Sequence, residues 1–154
     1  MTKSLNKLIA TFFGVGYSPF APGTMGAILA LIFSLLFFHF LDPSLFFKIH
    51  LCLVVISFIL GTIATKNVMS EWGKDPSRVV IDEAHGYWLT LLFIPPSITN
   101  LLIALILFRV FDISKPFGIK YFDRQPTALS VMLDDSLAGI YAGLTSLAII
   151  HYIL

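Results

Sequence analysis

The stretch "MGAILALIFSLLFFHFL", residues 25–41, contains no acid, lysine or arginine. Two further runs, residues 49–65 and 136–154, are similarly apolar. Each run reaches the lower length limit of a helix that crosses a bilayer, about 17 residues. Charged residues make up 12% of the 154-residue chain, about half of their usual share in soluble domains. The sequence therefore predicts one all-α domain over residues 1–154, an integral membrane helical bundle with about three long membrane helices.

A fourth apolar region, residues 86–111, is interrupted by "PPSIT" at residues 95–99. Two consecutive prolines stop a helix, because neither donates a backbone N–H and the second restricts the residue before it. We therefore predict a short helical hairpin with arms at residues 83–94 and 98–111. With this hairpin, nine of the ten basic residues fall on one side of the membrane, and only Lys48 falls on the other. The excess of basic residues predicts that this side, which also gathers the polar residues, is cytoplasmic.

Five acids are expected at helix ends on the same side, and four of them form two adjacent pairs: Asp82, Glu83, Asp112, Asp134 and Asp135. Asp134 and Asp135 are expected to precede the last membrane helix. A single acid in such a place could have no role beyond capping the helix. A second, adjacent acid adds repulsion without adding a cap, whereas clustered carboxylate oxygens are what Mg²⁺ or Mn²⁺ requires. Both interpretations stay open for each individual acid.

A second group of charged residues lies in "FRVFDISKP", residues 108–116. Arg109, Asp112 and Lys115 are spaced three apart, which suits either an ion pair with interfacial basic side chains or a phosphate site. The glycine-rich stretch at residues 14–26 allows two interpretations as well. It is either a loop that positions the first membrane helix, or an anion site at the start of that helix near Thr24.

The remaining polar and aromatic residues receive simpler interpretations. His39, His50 and His151 are expected at the far membrane interface, and Trp72 and Trp88 are expected as interface anchors. His85 follows the first acidic pair and is a further candidate for contact with the site. The single Cys52 excludes a disulfide within one chain, and the chain has no nucleic-acid-binding motif.

Four segments resemble, in order, the signature blocks of the phosphatidylglycerophosphatase A family: "GVGYSPFAPGTMGA", "VIDEAHGYWLTL", "FRVFDISKPFGIKYFDR" and "VMLDDSLAG". Ala27 and Gly118 depart from the serine and proline that the family often has at these places, and neither change removes a charge. The resemblance implies a Mg²⁺-dependent lipid phosphatase that converts phosphatidylglycerophosphate to phosphatidylglycerol. It further implies a multi-pass protein of the bacterial inner membrane whose active site faces the cytoplasm.

On this interpretation, the acids and bases of the blocks have distinct roles. The expected catalytic residues are the five acids named above, and a carboxylate of Asp134 or Asp135 is expected to act as the base. The expected metal ligands are Asp82, Glu83, Asp134 and Asp135. The expected phosphate-binding residues are Arg109, Lys115 and Thr24. The chain lacks the motifs of a covalent mechanism, which favours direct attack by water on a membrane lipid substrate.

Two other classes of function remain possible from the sequence. A small cation transporter or channel would carry its acids near the middle of the bilayer, whereas here they lie at segment ends beside basic residues. A structural membrane subunit would leave both acidic pairs without a role. The oligomeric state is not predicted.

Overall fold

The computed structural model describes residues 2–74, 76–116 and 118–153 of the chain. The helices in these ranges are α1 Lys3–Ala10, α2 Pro22–Phe40, α3 Pro43–Trp72, α4 Ile81–Leu91, α5 Ile98–Ser114, α6 Ile119–Asp123 and α7 Ala128–Tyr152, with a 3₁₀ turn at Val15–Tyr17. The described residues form no β-strand. The predicted all-α fold is therefore confirmed.

Three of these helices, α2, α3 and α7, are long and apolar enough to cross a membrane, as predicted. They begin earlier than the apolar runs suggest. Helix α3 has 30 residues, about 45 Å at 1.5 Å per residue, and extends beyond both ends of the apolar run at residues 49–65. Only Leu41 and Asp42 separate α2 from α3, because the Asp42 side chain caps α3 by accepting hydrogen bonds from the Ser44 and Leu45 N–H groups at 2.9 and 3.1 Å.

The predicted hairpin is formed by α4 and α5, and both prolines lie in the connection between them. The start of α5 is fixed by Ser97 Oγ, which accepts from the Asn100 N–H at 3.1 Å. Asn100 Nδ2 also donates to the Pro95 carbonyl at 2.9 Å. The two arms differ in length, 11 residues in α4 and 17 in α5. The second arm therefore ends at Ser114, three residues beyond the predicted end.

Small residues let α4 and α7 approach closely. The four-residue spacing of Gly139 and Gly143 predicts a close helix contact, and the structure shows that the partner is α4. A Cβ atom on Gly86 would lie 2.6 Å from the Asp135 carbonyl oxygen, closer than side chains pack. Gly139 of α7 faces the Gly86 backbone in return. Thr90 Oγ1 of α4 donates to the Gly139 carbonyl at 3.1 Å. The close crossing brings the first turn of α4 beside the acidic pair of α7.

The prediction that Asp134 and Asp135 precede the last helix is wrong. Helix α7 begins at Ala128, and Thr127 Oγ1 caps it by accepting from the Ser130 N–H at 3.1 Å. Both acids therefore lie inside the helix, where a carboxylate cannot act as an N-terminal cap. The prediction failed because "TALSVML" is less apolar than the run that follows it, although most of this segment belongs to the same helix.

Two residues that we expected at the membrane interface are buried instead. His50 is fully buried between α2 and α3, where Nε2 contacts Ser34 Oγ at 2.9 Å and Nδ1 contacts the Phe46 carbonyl at 2.8 Å. Trp88 is 4% exposed, and its Nε1 donates to the Ala30 carbonyl at 3.4 Å. Both polar groups serve to join neighbouring helices, because a buried donor or acceptor needs a partner.

Candidate active site

The acids predicted for the site meet in an open cavity of about 320 Å³. Its walls come from the start of α2, the start of α4, the end of α5, and α6 and α7. One carboxylate oxygen each from Asp82, Glu83 and Asp135 lies within 4.8 Å of the other two. Asp82 and Glu83 occupy the first turn of α4, and Asp135 comes from the adjacent α7. Segments about 50 residues apart in the sequence thus contribute to one cluster, which we call the carboxylate cluster.

Each member of the carboxylate cluster has a buried oxygen without a hydrogen-bond partner: Asp82 Oδ1, Glu83 Oε2 and Asp135 Oδ2. Neither acid of α4 occupies the N-cap position of that helix, which is Val80, and Val80 makes no side-chain capping bond. Unpartnered buried oxygens are costly, and grouped carboxylates are the ligands that Mg²⁺ prefers. The three residues therefore fit a divalent cation.

Burial also changes the acidity of the two carboxyl groups at the start of α4. Burial raises the pKa of Asp82 above its usual range, and burial together with the neighbouring Asp82 raises the pKa of Glu83 well above its own. Both shifts arise because a buried charge loses its hydration and meets a like charge nearby. A divalent cation would relieve both effects.

The basic residues lie beside the carboxylate cluster. Arg109 Nη1 donates to Asp112 Oδ2 at 2.5 Å and lies 3.9 Å from Glu83 Oε1. The end of α5 therefore returns to the start of α4, which places both ends of the hairpin on one side of the bundle. Arg109 Nε is buried without an acceptor, so the guanidinium group has a donor available for an anion.

Asp134, the fourth predicted metal ligand, pairs with Lys115. Its Nζ donates to Asp134 Oδ2 at 2.5 Å, and it lies 3.2 Å from Asp112 Oδ1 and 3.9 Å from Asp135 Oδ1. Asp134 is thus paired with the lysine and lies outside the carboxylate cluster. Three of the four predicted metal ligands, Asp82, Glu83 and Asp135, therefore come together. The fourth, Asp134, forms an ion pair with Lys115 instead.

The backbone of Lys115 explains how it reaches these acids. The residue ends α5 in the left-handed region, with φ 47° and ψ 49°, so the helical spacing of Arg109, Asp112 and Lys115 is broken at its last member. Burial acts to lower the pKa of Lys115, but the carboxylates of Asp135, Asp112 and Asp134 outweigh it and raise the pKa above its usual value. The lysine therefore stays charged.

Two residues near the cavity were not predicted. Asp123 of α6 lies 3.5 Å from Lys115 Nζ, and no feature of the sequence around it distinguishes it from an ordinary surface acid. Gly23 faces the site directly, because a Cβ atom there would collide with the Glu83 carboxylate. The α2 residues that line the cavity are Pro22 and Gly23, after Ala21, and Thr24 is not among the lining residues.

His85 does not contact the acids. Its Nδ1 lies 3.1 Å from Ser57 Oγ, and its Nε2 lies 2.9 Å from Ser136 Oγ. The imidazole is buried and joins α3, α4 and α7. His85 therefore supports the helix packing around the cavity and lies one helical turn away from the cavity.

The comparison with known proteins identifies the family of the chain. The sequence profile described as "Phosphatidylglycerophosphatase A" matches residues 8–150, which is nearly the whole chain. The chain belongs to the phosphatidylglycerophosphatase A family. As a member of that family it is a phosphatase, and its three spanning-length helices make it a membrane protein.

Two relatives support the assignment to the phosphatidylglycerophosphatase A family, and a third carries a different name. Proteins named phosphatidylglycerophosphatase A from Haemophilus influenzae and Escherichia coli are 36% and 32% identical to the chain. Those alignments cover 96% and 86% of this chain, and 90% and 76% of the two relatives. A Bacteroides thetaiotaomicron protein, provisionally named a phosphatidylinositol-3-phosphatase, is 42% identical over 88% of this chain and 87% of its own. No solved structure matches the fold.

Proposed function

We propose that the protein hydrolyses the terminal phosphate of phosphatidylglycerophosphate, in a Mg²⁺-dependent reaction that yields phosphatidylglycerol and inorganic phosphate. The observation that carries the proposal is the carboxylate cluster, with its three buried unpartnered oxygens, beside an arginine that has a donor available. The family supports the lipid substrate. The geometry supports the cation.

The charge of the cavity argues for a cation. The described residues of its lining include six acids, Asp82, Glu83, Asp112, Asp123, Asp134 and Asp135, and two bases, Arg109 and Lys115. Their formal charge is −4 when all are ionised, which would repel a phosphate. Asp82, Glu83 and Asp135 would hold Mg²⁺, and Mg²⁺ bound there would supply charge neutralisation at the phosphate and activation of water. The phosphate would then meet the positive charges of Arg109 and Lys115 in a cavity whose acids are partly neutralised.

The residues of the chain would divide the remaining work. Arg109 would donate to the phosphoryl oxygens, and Asp112 would orient its guanidinium through the 2.5 Å hydrogen bond. Lys115 would add positive charge near the oxygens that gain charge during transfer. The water oxygen forms a bond to phosphorus as the bond from phosphorus to the glycerol oxygen breaks. A carboxylate of α7, Asp134 or Asp135, would accept the proton of the water, and a proton returns to the glycerol oxygen.

The membrane arrangement supports a cytoplasmic site in the bacterial inner membrane. The cavity lies at the start of α2, the start of α4 and the end of α5, on the side where nine of the ten basic residues fall. Basic residues favour the cytoplasmic side. The lipid would thus present its terminal phosphate to the cavity while its acyl chains remain in the bilayer.

The test is release of phosphate from pure lipids by the full chain in mixed micelles. We expect release from phosphatidylglycerophosphate with Mg²⁺, and loss of release when EDTA is added. Phosphatidylinositol 3-phosphate is the second substrate to compare, because one relative carries that provisional name. No release from phosphatidylglycerophosphate in the presence of Mg²⁺ would refute the proposed reaction. Faster release from the inositol lipid would refute the proposed head group.

A further inference from the structure

An apolar groove of about 370 Å³ opens between α1, α2 and α3, with α4 at its floor. It shares no lining residue with the acidic cavity. Helix α4 packs against both α2 and α3 and fills the space between them on one side. The groove is lined by apolar side chains of all four helices, among them Leu8, Phe33, Phe37, Leu53, Leu60 and Trp88.

A polar cleft of about 600 Å³ lies on the other face of α1, between that helix and the last turns of α3. Its lining includes Lys3, Asn6, Lys7 and Glu71. Lys7 Nζ pairs with Glu71 Oε1 at 2.5 Å, so the two lysines and one glutamate leave the cleft with a net positive charge. Asn6 is 4% exposed, and its Oδ1 has no hydrogen-bond partner. The cleft therefore offers positive charge and an unused acceptor.

Helix α1 separates the two features along its own two faces. Leu5 and Leu8 point to the groove, whereas Lys3 and Lys7 point to the cleft. An apolar face and a basic face on one short helix are typical of a helix that lies in the membrane interface. Lysine stems are long enough to carry their ammonium groups around such a helix to its rim.

Along α3, the apolar groove and the polar cleft follow each other in the same order as the acyl chains and the head group of a phospholipid. The groove ends at Leu60, and the cleft begins at Asn67, about 10 Å farther along the helix at 1.5 Å per residue. Beyond the cleft, Arg78 lies over the rings of Tyr17 and Trp72, at 5.7 and 5.9 Å from their centres. Aromatic residues beside basic ones are typical of the head-group level.

We propose that this second site holds one phospholipid of net negative charge, drawn from the surrounding bilayer. An acyl chain would lie in the groove beneath α1, and the phosphate would meet Lys3 and Lys7 at the rim of the cleft. Asn6 would accept a hydrogen bond from a head-group hydroxyl. The site is separate from the acidic cavity and would bind a lipid that the enzyme does not hydrolyse there.

Trp88 provides a direct probe, because it lines the groove and the chain has only one other tryptophan. The Trp72→Phe variant of the full chain, which keeps a ring beside Arg78, is placed in phosphatidylcholine vesicles. Phosphatidylglycerol with brominated acyl chains is then titrated in, and Trp88 fluorescence is recorded. Brominated phosphatidylcholine in place of the brominated phosphatidylglycerol gives the reference. Because each lysine near an anionic lipid contributes about fivefold in affinity, we expect half-maximal quenching at a mole fraction up to about 25-fold lower for the anionic lipid.

Matched variants separate the head-group contacts from the groove. Lys3→Gln combined with Lys7→Gln should abolish the preference, whereas Lys48→Gln, at the other end of α3, should keep it. Leu53→Phe should fill part of the groove and weaken quenching by both lipids. Leu51→Phe, on the exposed side of the same helix, should not.

Two results would overturn the proposal. One is equal quenching by both brominated lipids, and the other is an unchanged preference after both lysines are replaced. Soluble glycerol 3-phosphate should not displace the lipid, because it lacks the acyl chain that the groove would hold. Quenching requires no phosphatase activity, so the outcome is independent of the proposed reaction.

Discussion

Gly23 gives the sharpest test of the carboxylate cluster, because a single added carbon reaches it. In a Gly23→Ala variant, the new Cβ would collide with the Glu83 carboxylate and lie 2.9 Å from Glu83 Cδ and 3.4 Å from Arg109 Nη1. Carbon atoms pack best at about 3.5 to 4.0 Å, so the Glu83 carboxyl group must move by roughly 1 Å. The nearby guanidinium blocks one direction of retreat. The position of the Glu83 carboxylate relative to Asp82 and Asp135 would therefore change.

The expected loss of activity is large, whereas the expected effect on stability is small. A misplacement of about 1 Å in a catalytic site can cost about 100-fold in rate, and loss of support for a metal ligand costs about 10- to 100-fold in metal affinity. Alanine is also a better helix former than glycine, by up to about 1 kcal/mol, so α2 should not be weakened. We expect phosphate release to fall about 100-fold at low Mg²⁺ and to recover partly at high Mg²⁺, with an unchanged melting temperature.

A second substitution makes the test specific for the contact. Glu83→Asp shortens the acid by one methylene group and removes the collision. If the collision causes the loss, the double variant should be less impaired than the product of the two single effects, because residues in contact are not additive. Met25→Ala, on the exposed side of the same helix, is the control. A Gly23→Ala enzyme with the wild-type rate and Mg²⁺ dependence would refute the reasoning.

Three further predictions concern the site and the hairpin. Asp82→Asn, Glu83→Gln and Asp135→Asn should each remove most phosphate release without unfolding the protein, since each variant loses a charged oxygen ligand. Wild-type rates in all three variants would refute the proposed metal site. Arg109→Lys keeps the charge but loses the forked donor geometry, so kcat should fall severely. Normal kinetics would show that the arginine serves only as an interfacial residue. In a Cys52→Ser background, single cysteines at Ser77 and Gln125 should react with a membrane-impermeant reagent from the cytoplasmic side only; labelling from opposite sides would mean that residues 86–108 cross the membrane once.

The hairpin could be predicted from the sequence because its signals are local. Pro95 and Pro96 stop one helix, and Ser97 begins the next, as the structure shows. The spacing of Gly139 and Gly143 likewise predicts that α7 packs closely against another helix, but it does not identify that helix as α4. Short-range chemistry of this kind acts within one turn of the chain, so a single sequence is sufficient to find it.

The partners of the acids could not be predicted, because they depend on side-chain directions that the fold sets. Asp134 and Asp135 are neighbours in sequence, yet one pairs with Lys115 and the other joins the carboxylate cluster. The difference arises because Lys115 leaves the helix in a left-handed conformation, for which a non-glycine residue gives no sequence signal. Helix α1 was missed for another reason, since its eight residues are too few to give the length signal of a membrane helix.

The short first arm of the hairpin explains why a lipid phosphatase can be built at helix ends. Helix α4 has 11 residues, about 16 Å at 1.5 Å per residue, against a hydrocarbon core of about 30 Å. A helix of this length cannot cross the core, so its first turn, with Asp82 and Glu83, can lie near the head groups while its other end remains within the bundle. Gly86 and Gly139 then fix that turn against Asp135. A lipid phosphate could therefore reach the acids by lateral movement, without its acyl chains leaving the bilayer.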